Sequence, residues 1–214
     1  MPNPKLDLFS GSNVIASNDD WASNSSALSA AGFAAPTSVL ESALVANLSP
    51  GVYTAQLSGV SNATGIGLVE IYDTDAVSMF PSQKVTAVST RGFVNTGDGS
   101  MIAGFIVNGT ASKMVLIEAV GPSLSGVPGL LADPVLRIVR MSDNAMIREN
   151  DNWEVGNDSA LVRDAASRSG ATPLAAGGKD AAILITLAPG VYTAVASGAG
   201  GSTGVALINV YEVP

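Results

Sequence analysis

Histidine and cysteine are absent from this chain of 214 residues, and charged and aromatic side chains are scarce, at 13% and 5%. The chain therefore lacks the usual general base, the thiolate nucleophile, the commonest nitrogen ligand for metals and any disulfide bond. Its 18 acidic residues outnumber its 10 basic residues, and the net charge of −8 repels nucleic acid and anionic lipid. We expect a protein that is not an enzyme and has no nucleic-acid partner.

Long apolar runs are missing as well. No run reaches the about 18 to 20 residues that span a bilayer, so we expect no membrane insertion. The first four residues, MPNP, contain no apolar core of a signal peptide. A low charge combined with 47% hydrophobic residues is typical of secreted bacterial β-proteins. We expect an extracellular or cell-surface protein whose signal is absent from this sequence.

The chain contains one pattern twice. Residues 18–21 (NDDW) recur as residues 150–153 (NDNW), and residues 50–54 (PGVYT) recur as residues 189–193. The middle segment, residues 76–133, has no counterpart in the first copy. The repeat therefore predicts two domains, a partial one at residues 1–78 and a complete one at residues 79–214. A partial unit is marginal in stability and leaves strand edges open for pairing.

Short apolar segments rich in Val, Ile, Thr and Tyr, bounded by Gly, Pro, Ser and Asn, predict strands. The predicted strands are residues 5–9, 13–16, 42–48, 52–57, 66–72, 84–89, 92–94, 101–107, 113–120, 136–139, 145–148, 182–187, 191–196 and 205–211. Short helices are predicted at residues 24–31 and 160–167, and a hairpin turn at residues 95–99. The expected fold class is all-β, with two antiparallel, jelly-roll-like β-sandwich domains.

These motifs resemble a known family. Residues 136–139 (LRIV), the NDNW motif, residues 187–193 (LAPGVYT) and the return to Val210-Tyr211 resemble the pre-peptidase C-terminal type of bacterial β-sandwich. Residues 90–94 (TRGFV) and 118–124 (EAVGPSL) look like the preceding part of tandem repeats in large exported proteins of Verrucomicrobia-like bacteria. The resemblance implies an exported sandwich, appended to enzymes or arranged in arrays, with some relatives binding calcium.

The acidic motif is the candidate metal site. Ca²⁺ takes six to eight oxygen ligands, and clustered carboxylates and amides supply them. The candidate ligands are Asn18, Asp19, Asp20, Asn150, Asp151 and Asn152. A structural interpretation is favoured, because Asn and Asp commonly cap turns and the neighbouring tryptophan covers the core. Asn152 replaces Asp20 in the second copy, which lowers the charge of that site and weakens any bound ion.

Other candidate sites are weaker. Residues 121–126 (GPSLSG) do not match Gly-x-Ser-x-Gly, and no histidine exists to activate a serine. Five carboxylates have no spacing that selects a glycosidase pair and are predicted to be solvated: Glu41, Glu118, Asp133, Asp143 and Glu149. Four aromatic residues could stack on sugars, but their equivalent positions favour the core: Trp21, Tyr53, Trp153 and Tyr192.

Two classes of function remain. The first is an extracellular structural protein that assembles with itself, head to tail, into a filament or surface array, by strand complementation through residues 2–9 and 206–214. The alternative is a calcium-dependent module that binds carbohydrate or another surface ligand. The scarcity of aromatic and basic side chains favours the first.

Overall fold

A computed structural model describes residues 1–75, 84–156 and 159–214, in two compact units, Met1–Lys84 and Val85–Pro214. The strand ladders of all three sheets are antiparallel, which confirms the predicted all-β fold class. The predicted domain boundary between residues 78 and 79 lies outside the described residues. Among the described helices, none has the length and apolar character needed to cross a membrane.

The first unit contains one sheet of three strands. The strands are β1 (Pro4–Ser10), β2 (Asn13–Asn18) and β3 (Tyr53–Gly59), in the order β2-β1-β3. A short helix, α1 (Ser25–Ala30), follows β2, close to the predicted position. Leu28 is the only buried apolar side chain among the described residues of this unit. The predicted partial sandwich is thus represented by a single sheet, and this sheet has no buried core.

The second unit is a sandwich of two four-stranded sheets. Its strands are β4 (Ala87–Val94), β5 (Met101–Val107), β6 (Lys113–Val120), β7 (Pro134–Arg140), β8 (Ala145–Asn150), β9 (Ala181–Leu187), β10 (Gly190–Gly198) and β11 (Gly204–Glu212). Sheet I has the order β5-β10-β7-β8 and sheet II the order β4-β11-β6-β9. Helix α2 (Ser159–Ser169) lies between β8 and β9 in the chain.

The main core lies between sheets I and II. Alternate residues of each strand point to one face, so apolar residues at every second position form a continuous buried layer. Leu136 and Ile138 of sheet I and Ile117 and Ile208 of sheet II are fully buried in it. This layer holds the second unit together.

A second apolar layer covers the outer face of sheet II. Leu116 and Ala182 pack there with Trp153 and with Val162 and Ala165 of α2. Val162 faces this layer, whereas Leu161 is exposed. The central strand β6 of sheet II is therefore buried on both faces, at six successive positions.

Three sequence-based predictions are wrong. Residues 42–48 and 66–72 form no strand. Their counterparts, β9 and β11, pair with β6, and β11 also pairs with β4. Among the described residues of the first unit, no counterpart of β4 or β6 supplies these backbone partners. Residues 95–99 are not a hairpin turn, because β4 and β5 lie in different sheets.

The terminal segments are not free to pair with a neighbour, contrary to expectation. β1 overlaps residues 2–9 and is the central strand of its sheet, and β11 overlaps residues 206–214 and lies between β4 and β6. Both edges of each strand are already used. The open edges of the first unit belong to β2 and β3.

The sheet of the first unit has the same register as three strands of sheet I. Pro4 pairs with Gly59 as Pro134 pairs with Gly198, and Leu6 pairs with Asn18 as Leu136 pairs with Asn150. A β-bulge falls between Leu8 and Phe9 and, at the matching place, between Ile138 and Val139. The order β2-β1-β3 therefore corresponds to β8-β7-β10.

Candidate functional site

The first asparagine of each acidic motif connects two segments of backbone. Asn18 Nδ2 donates to the carbonyl of Asp20 (2.9 Å) and to Ser23 Oγ (2.8 Å), while its Oδ1 accepts from the Ala43 amide (2.9 Å). Both asparagine side chains are buried. The motif thus places residue 43 beside the end of β2.

Asn150 makes the same contacts in the second unit. Its Nδ2 donates to the carbonyls of Asn152 (3.0 Å) and Val155 (2.8 Å), and its Oδ1 accepts from the Ala182 amide (3.1 Å). Since Ala182 lies in β9, this side chain fixes the start of that strand. These hydrogen bonds to the backbone are of the kind that the structural interpretation of the motif describes, in which Asn caps a turn.

The carboxylates of the motif remain at the surface. Asp19, Asp20 and Asp151 are exposed and Asn152 is half-buried. Within the described residues, no three His, Cys, Asp or Glu side chains converge as metal ligands. Asn18 Oδ1 and Asn150 Oδ1 are occupied by backbone amides, so a cation there would compete with these hydrogen bonds. Calcium binding stays a prediction.

The tryptophan after each acidic motif closes the same loop. The Trp21 amide donates to the carbonyl of Glu41 (2.7 Å), and the Trp153 amide to that of Asp180 (2.8 Å). Trp21 Nε1 donates to the carbonyl of Ser38, and Trp153 Nε1 to that of Ala175, both at 3.0 Å. Trp153 is fully buried, so it cannot stack on a sugar.

The tyrosine of each PGVYT motif bends back over its turn. Tyr53 Oη donates to the carbonyl of Ser49 (2.9 Å) and Tyr192 Oη to that of Ala188 (3.0 Å). Tyr192 is buried and stacks with Phe105 at 5.7 Å between ring centroids. The described geometry thus offers no sugar-stacking platform from Trp153 and Tyr192.

The Gly-Pro-Ser segment after β6 is anchored by a buried carboxylate. Asp180 Oδ1 accepts from the amides of Gly121 (2.8 Å) and Ser123 (3.2 Å), and its Oδ2 from Ser123 Oγ (2.5 Å). Ser123 Oγ also accepts from the Ala175 amide (3.2 Å). Both hydrogen bonds of the Ser123 hydroxyl thus hold this segment against the start of β9.

A second buried carboxyl group, Glu118, lies on β6 directly opposite Asn209 of β11. Its Oε2 accepts from Asn209 Nδ2 (3.1 Å), and Glu118 Oε1 and Asn209 Oδ1 are buried without a partner. Burial raises the pKa of Glu118 to about 7, the Asn209 hydrogen bond opposes this shift, and the charge of Asp180 adds to it. The prediction that Glu118 is solvated is wrong, because the outer face of sheet II is covered.

Tyr211 shares this environment. Burial raises its pKa to about 12, the charge of Glu118 adds to the shift, and a hydrogen bond with Ser89 opposes it. Three other carboxylates of the predicted set form ion pairs at the surface: Asp133 with Lys179, Asp143 with Arg140, and Glu149 with Arg137. They are distributed over the second unit and form no catalytic pair.

A polar groove of ≈ 480 Å³ passes beside the acidic motif of the second unit. Arg137, Glu149, Asn150 and Asp151 line it, and no aromatic side chain does. A second groove, of ≈ 420 Å³, shares Arg137 and is lined by the 95–97 turn and by Ser197 and Ser202. Val135, Val155 and Ala199 also line the first groove, so it combines polar and charged groups with a smaller apolar surface.

Exposed apolar side chains concentrate in the first unit, on the two segments that form no strand. Leu48 is 46% exposed, whereas its counterpart Leu187 is 4% exposed. Val69 is 37% exposed, whereas its counterpart Ile208 is fully buried. Ile66, Leu68 and Ile71 are each more than half exposed. Clusters of exposed apolar side chains of this kind are uncommon on soluble monomeric proteins.

The sequence analysis did not identify two polar side chains of this region, Asp180 and Asn209. Each is a single polar residue at the start of, or within, an apolar strand, and nothing in its neighbours distinguishes it. A signal did exist in the repeat, since Glu41 occupies the position of Asp180 and Glu70 that of Asn209.

Comparison with known proteins adds little to these observations. No family model and no curated protein matches the chain. A similar solved structure is the pre-peptidase C-terminal domain of a collagenase from Bacillus anthracis, with 13% sequence identity and a TM-score of 0.37. The match covers 58% of this chain and 89% of that domain. Membership of the pre-peptidase C-terminal family stays a prediction.

Proposed function

We propose that this chain is a non-catalytic structural module of an extracellular or cell-surface protein, and that its first unit joins it to a neighbour by accepting a β-strand. One observation carries this proposal. Residues 42–48 and 65–73 have the residue patterns of β9 and β11 but pair with no strand, and residues 45–48 and 65–73 are exposed, whereas β9 and β11 are paired and largely buried. An apolar strand without a partner is a site for strand addition.

Amide hydrogen exchange tests the proposal within one molecule. We expect the amides of residues 42–48 and 65–73 to exchange at close to unprotected rates, and those of β9 and β11 to be protected by the stability of the second unit. The two pairs of segments are matched in sequence and so control for each other. Equal protection of both pairs would sink the proposal.

Head-to-tail assembly follows if each neighbour carries a donor strand in addition to an acceptor unit. A contact of this kind that does not close on itself gives an open filament. Sedimentation over a wide concentration range, together with negative-stain images, tests the self-assembling form. A series of growing species supports it, and a single monomeric species at high concentration excludes self-assembly and leaves a different polypeptide as the neighbour.

Calcium-dependent surface binding is the second candidate. It is favoured by the groove that places Asn150 and Asp151 beside Glu149. Titration of calcium into chelator-treated protein is expected to release heat that Asp19→Ala combined with Asp151→Ala abolishes. Asp98→Ala, at an exposed carboxylate in a different turn, is the matched control and retains the heat. Absence of heat in the parent protein contradicts this candidate.

A further inference from the structure

Two segments of the first unit that form no strand occupy positions equivalent to those of β9 and β11 in the second unit. We name residues 42–48 the first acceptor segment and residues 65–73 the second acceptor segment. The first is fixed at Ala43 by Asn18, as β9 is fixed at Ala182 by Asn150. Its preceding residue, Glu41, accepts from the Trp21 amide as Asp180 does from Trp153. The first acceptor segment therefore starts where β9 starts.

The second acceptor segment lies against the core face of the sheet. A Cβ atom added to Gly67 would stand 2.3 Å from Leu57 Cδ2, so the backbone of Gly67 rests on a side chain of β3. The counterparts of Gly67 and Leu57 are Ala206 and Ala196, which are buried together in the core of the second unit. The Met1 ammonium group also donates to the Ile66 carbonyl (2.6 Å). The second acceptor segment therefore covers the face that β11 covers.

In sheet II, one strand separates β11 from β9. That strand is β6, which pairs with residues 207–212 on one side and 181–187 on the other. Resting on the proposed function, we propose that the two acceptor segments are the sides of a slot for one added β-strand that has the residue pattern of β6. The strand would restore the order β11-β6-β9 in the first unit.

A folded second copy is a poor donor. Its β6 is paired on both sides and buried on both faces, so lending it would unpair two strands of its own sheet. An exchange of β6 between two copies would therefore complete one unit and disrupt another. The occupant is a strand that has the residue pattern of β6 and is not already paired in a folded unit.

The slot specifies the chemistry of that strand. Val115, Ile117 and Ala119 of β6 point into the core, so the donor needs small or branched apolar residues at alternate positions. Glu70 occupies the place of Asn209, which faces Glu118 of β6. A carboxylate opposite Glu70 would bring two negative charges together in a covered site, so the donor carries an uncharged polar side chain there.

The residues after the strand are also specified. In the second unit, Asp180 accepts from the amides of Gly121 and Ser123 and from Ser123 Oγ. Glu41 offers a carboxylate at the matching position of the first unit and is partly exposed. A donor strand followed by Gly-x-Ser would satisfy it.

Synthetic peptides test the slot on the full chain. The probe has the sequence of residues 113–123 with Glu118→Gln and a terminal fluorophore, and its controls are the same peptide with Glu118 retained and a scrambled peptide. At pH 8 we expect the Gln peptide to bind at least about tenfold more tightly than the Glu peptide. Bound probe should slow exchange of the acceptor-segment amides by about tenfold or more and leave β9 and β11 unchanged.

Two substitutions in the chain locate the binding. Glu70→Asn should reduce the difference between the Gln and Glu peptides, because it removes the negative charge opposite the peptide carboxylate and leaves only the cost of burying that carboxylate. Val69→Lys, in the second acceptor segment, should abolish binding, while Val52→Lys, at a position 89% exposed outside the slot, should leave it unchanged. Failure of every peptide to bind, or equal effects of Val69→Lys and Val52→Lys, overturns the slot. Acceptor segments that are already protected in the free chain overturn the proposed function itself.

Discussion

The two units share their local geometry and differ in their cores. Both units have the same register in three strands and the same bulge in the central strand, after Leu8 and after Ile138. Both also have the asparagine bracket, which we define as the side-chain hydrogen bonds of Asn18 and of Asn150, and the tyrosine–carbonyl bond. The second unit buries two apolar layers, whereas Leu28 alone is buried among the described apolar residues of the first. The asparagine and tyrosine hydrogen bonds therefore form without a buried core. The counterparts of β9 and β11, by contrast, do not form strands without a partner strand.

The largest expected difference between the units concerns matched core leucines. Leu136 is fully buried between the sheets of the second unit, and Leu6 holds the same register position in the first unit but is only half-buried. Leu136→Ala is expected to lower the free energy of unfolding of the second unit by about 2–5 kcal/mol. Leu6→Ala is expected to cost the first unit less than about 1 kcal/mol, because little apolar area leaves water there.

Urea unfolding followed by hydrogen exchange of peptides from each unit measures both losses separately. Similar losses in the two units would show that the first unit has a packed core and would contradict the comparison.

The next effect concerns the buried carboxyl of the second unit. The folded unit retains the Glu118 proton up to about pH 7, against 4.5 for an unperturbed glutamate. This group therefore contributes its full stability below about pH 4.5, and the contribution is lost as the pH rises to about 7. Glu118→Gln is expected to remove that slope and to raise stability at pH 8 by on the order of 3 kcal/mol.

Unfolding midpoints in urea between pH 4 and pH 8 measure the slope. Glu149→Gln serves as the control, since Glu149 is exposed and paired with Arg137, and it should retain the slope of the parent protein. If Glu118→Gln and the parent protein have the same pH dependence, Glu118 does not carry it.

The smallest expected effect concerns the asparagine bracket. Asn150→Ala breaks three hydrogen bonds and leaves the buried Ala182 amide unpaired by that side chain, which should cost the second unit about 1–3 kcal/mol. Asn18→Ala should cost the first unit about 1 kcal/mol or less, because water reaches the Asp20 and Ala43 groups that it leaves behind. Chemical denaturation of both variants measures the two losses, and a larger loss in the first unit would reverse the comparison.

The sequence predicted the local elements well. Strands β7 to β11 and helix α2 lie within a few residues of their predicted positions, because Val-, Ile- and Tyr-rich segments bounded by Gly and Pro specify them locally. Residues 42–48 show the limit of this reasoning. They match β9 in pattern, but strand formation depends on a neighbouring strand, and the sequence of a segment does not state whether that neighbour exists.

The candidate site was less predictable than the fold. The acidic motif was recognised, and its asparagines were expected to serve either as turn caps or as metal ligands. The role of Asp180 as anchor of the Gly-Pro-Ser segment depends on a contact across 57 residues of sequence, and the burial of Glu118 depends on a helix that covers sheet II. Long-range contacts of this kind leave no pattern in the residues around them.

The position of β11 between β4 and β6 also governs when the second unit can fold. Val94 pairs with Gly204 and Ala87 with Tyr211. The first strand of the unit in the sequence, β4, can therefore pair only after the last strand, β11, has been synthesised. During synthesis, β4 and β6 leave the ribosome without the strand that lies between them. Pairing across so long a stretch of chain is slow, and sheet II can be completed only after residue 212 has been made.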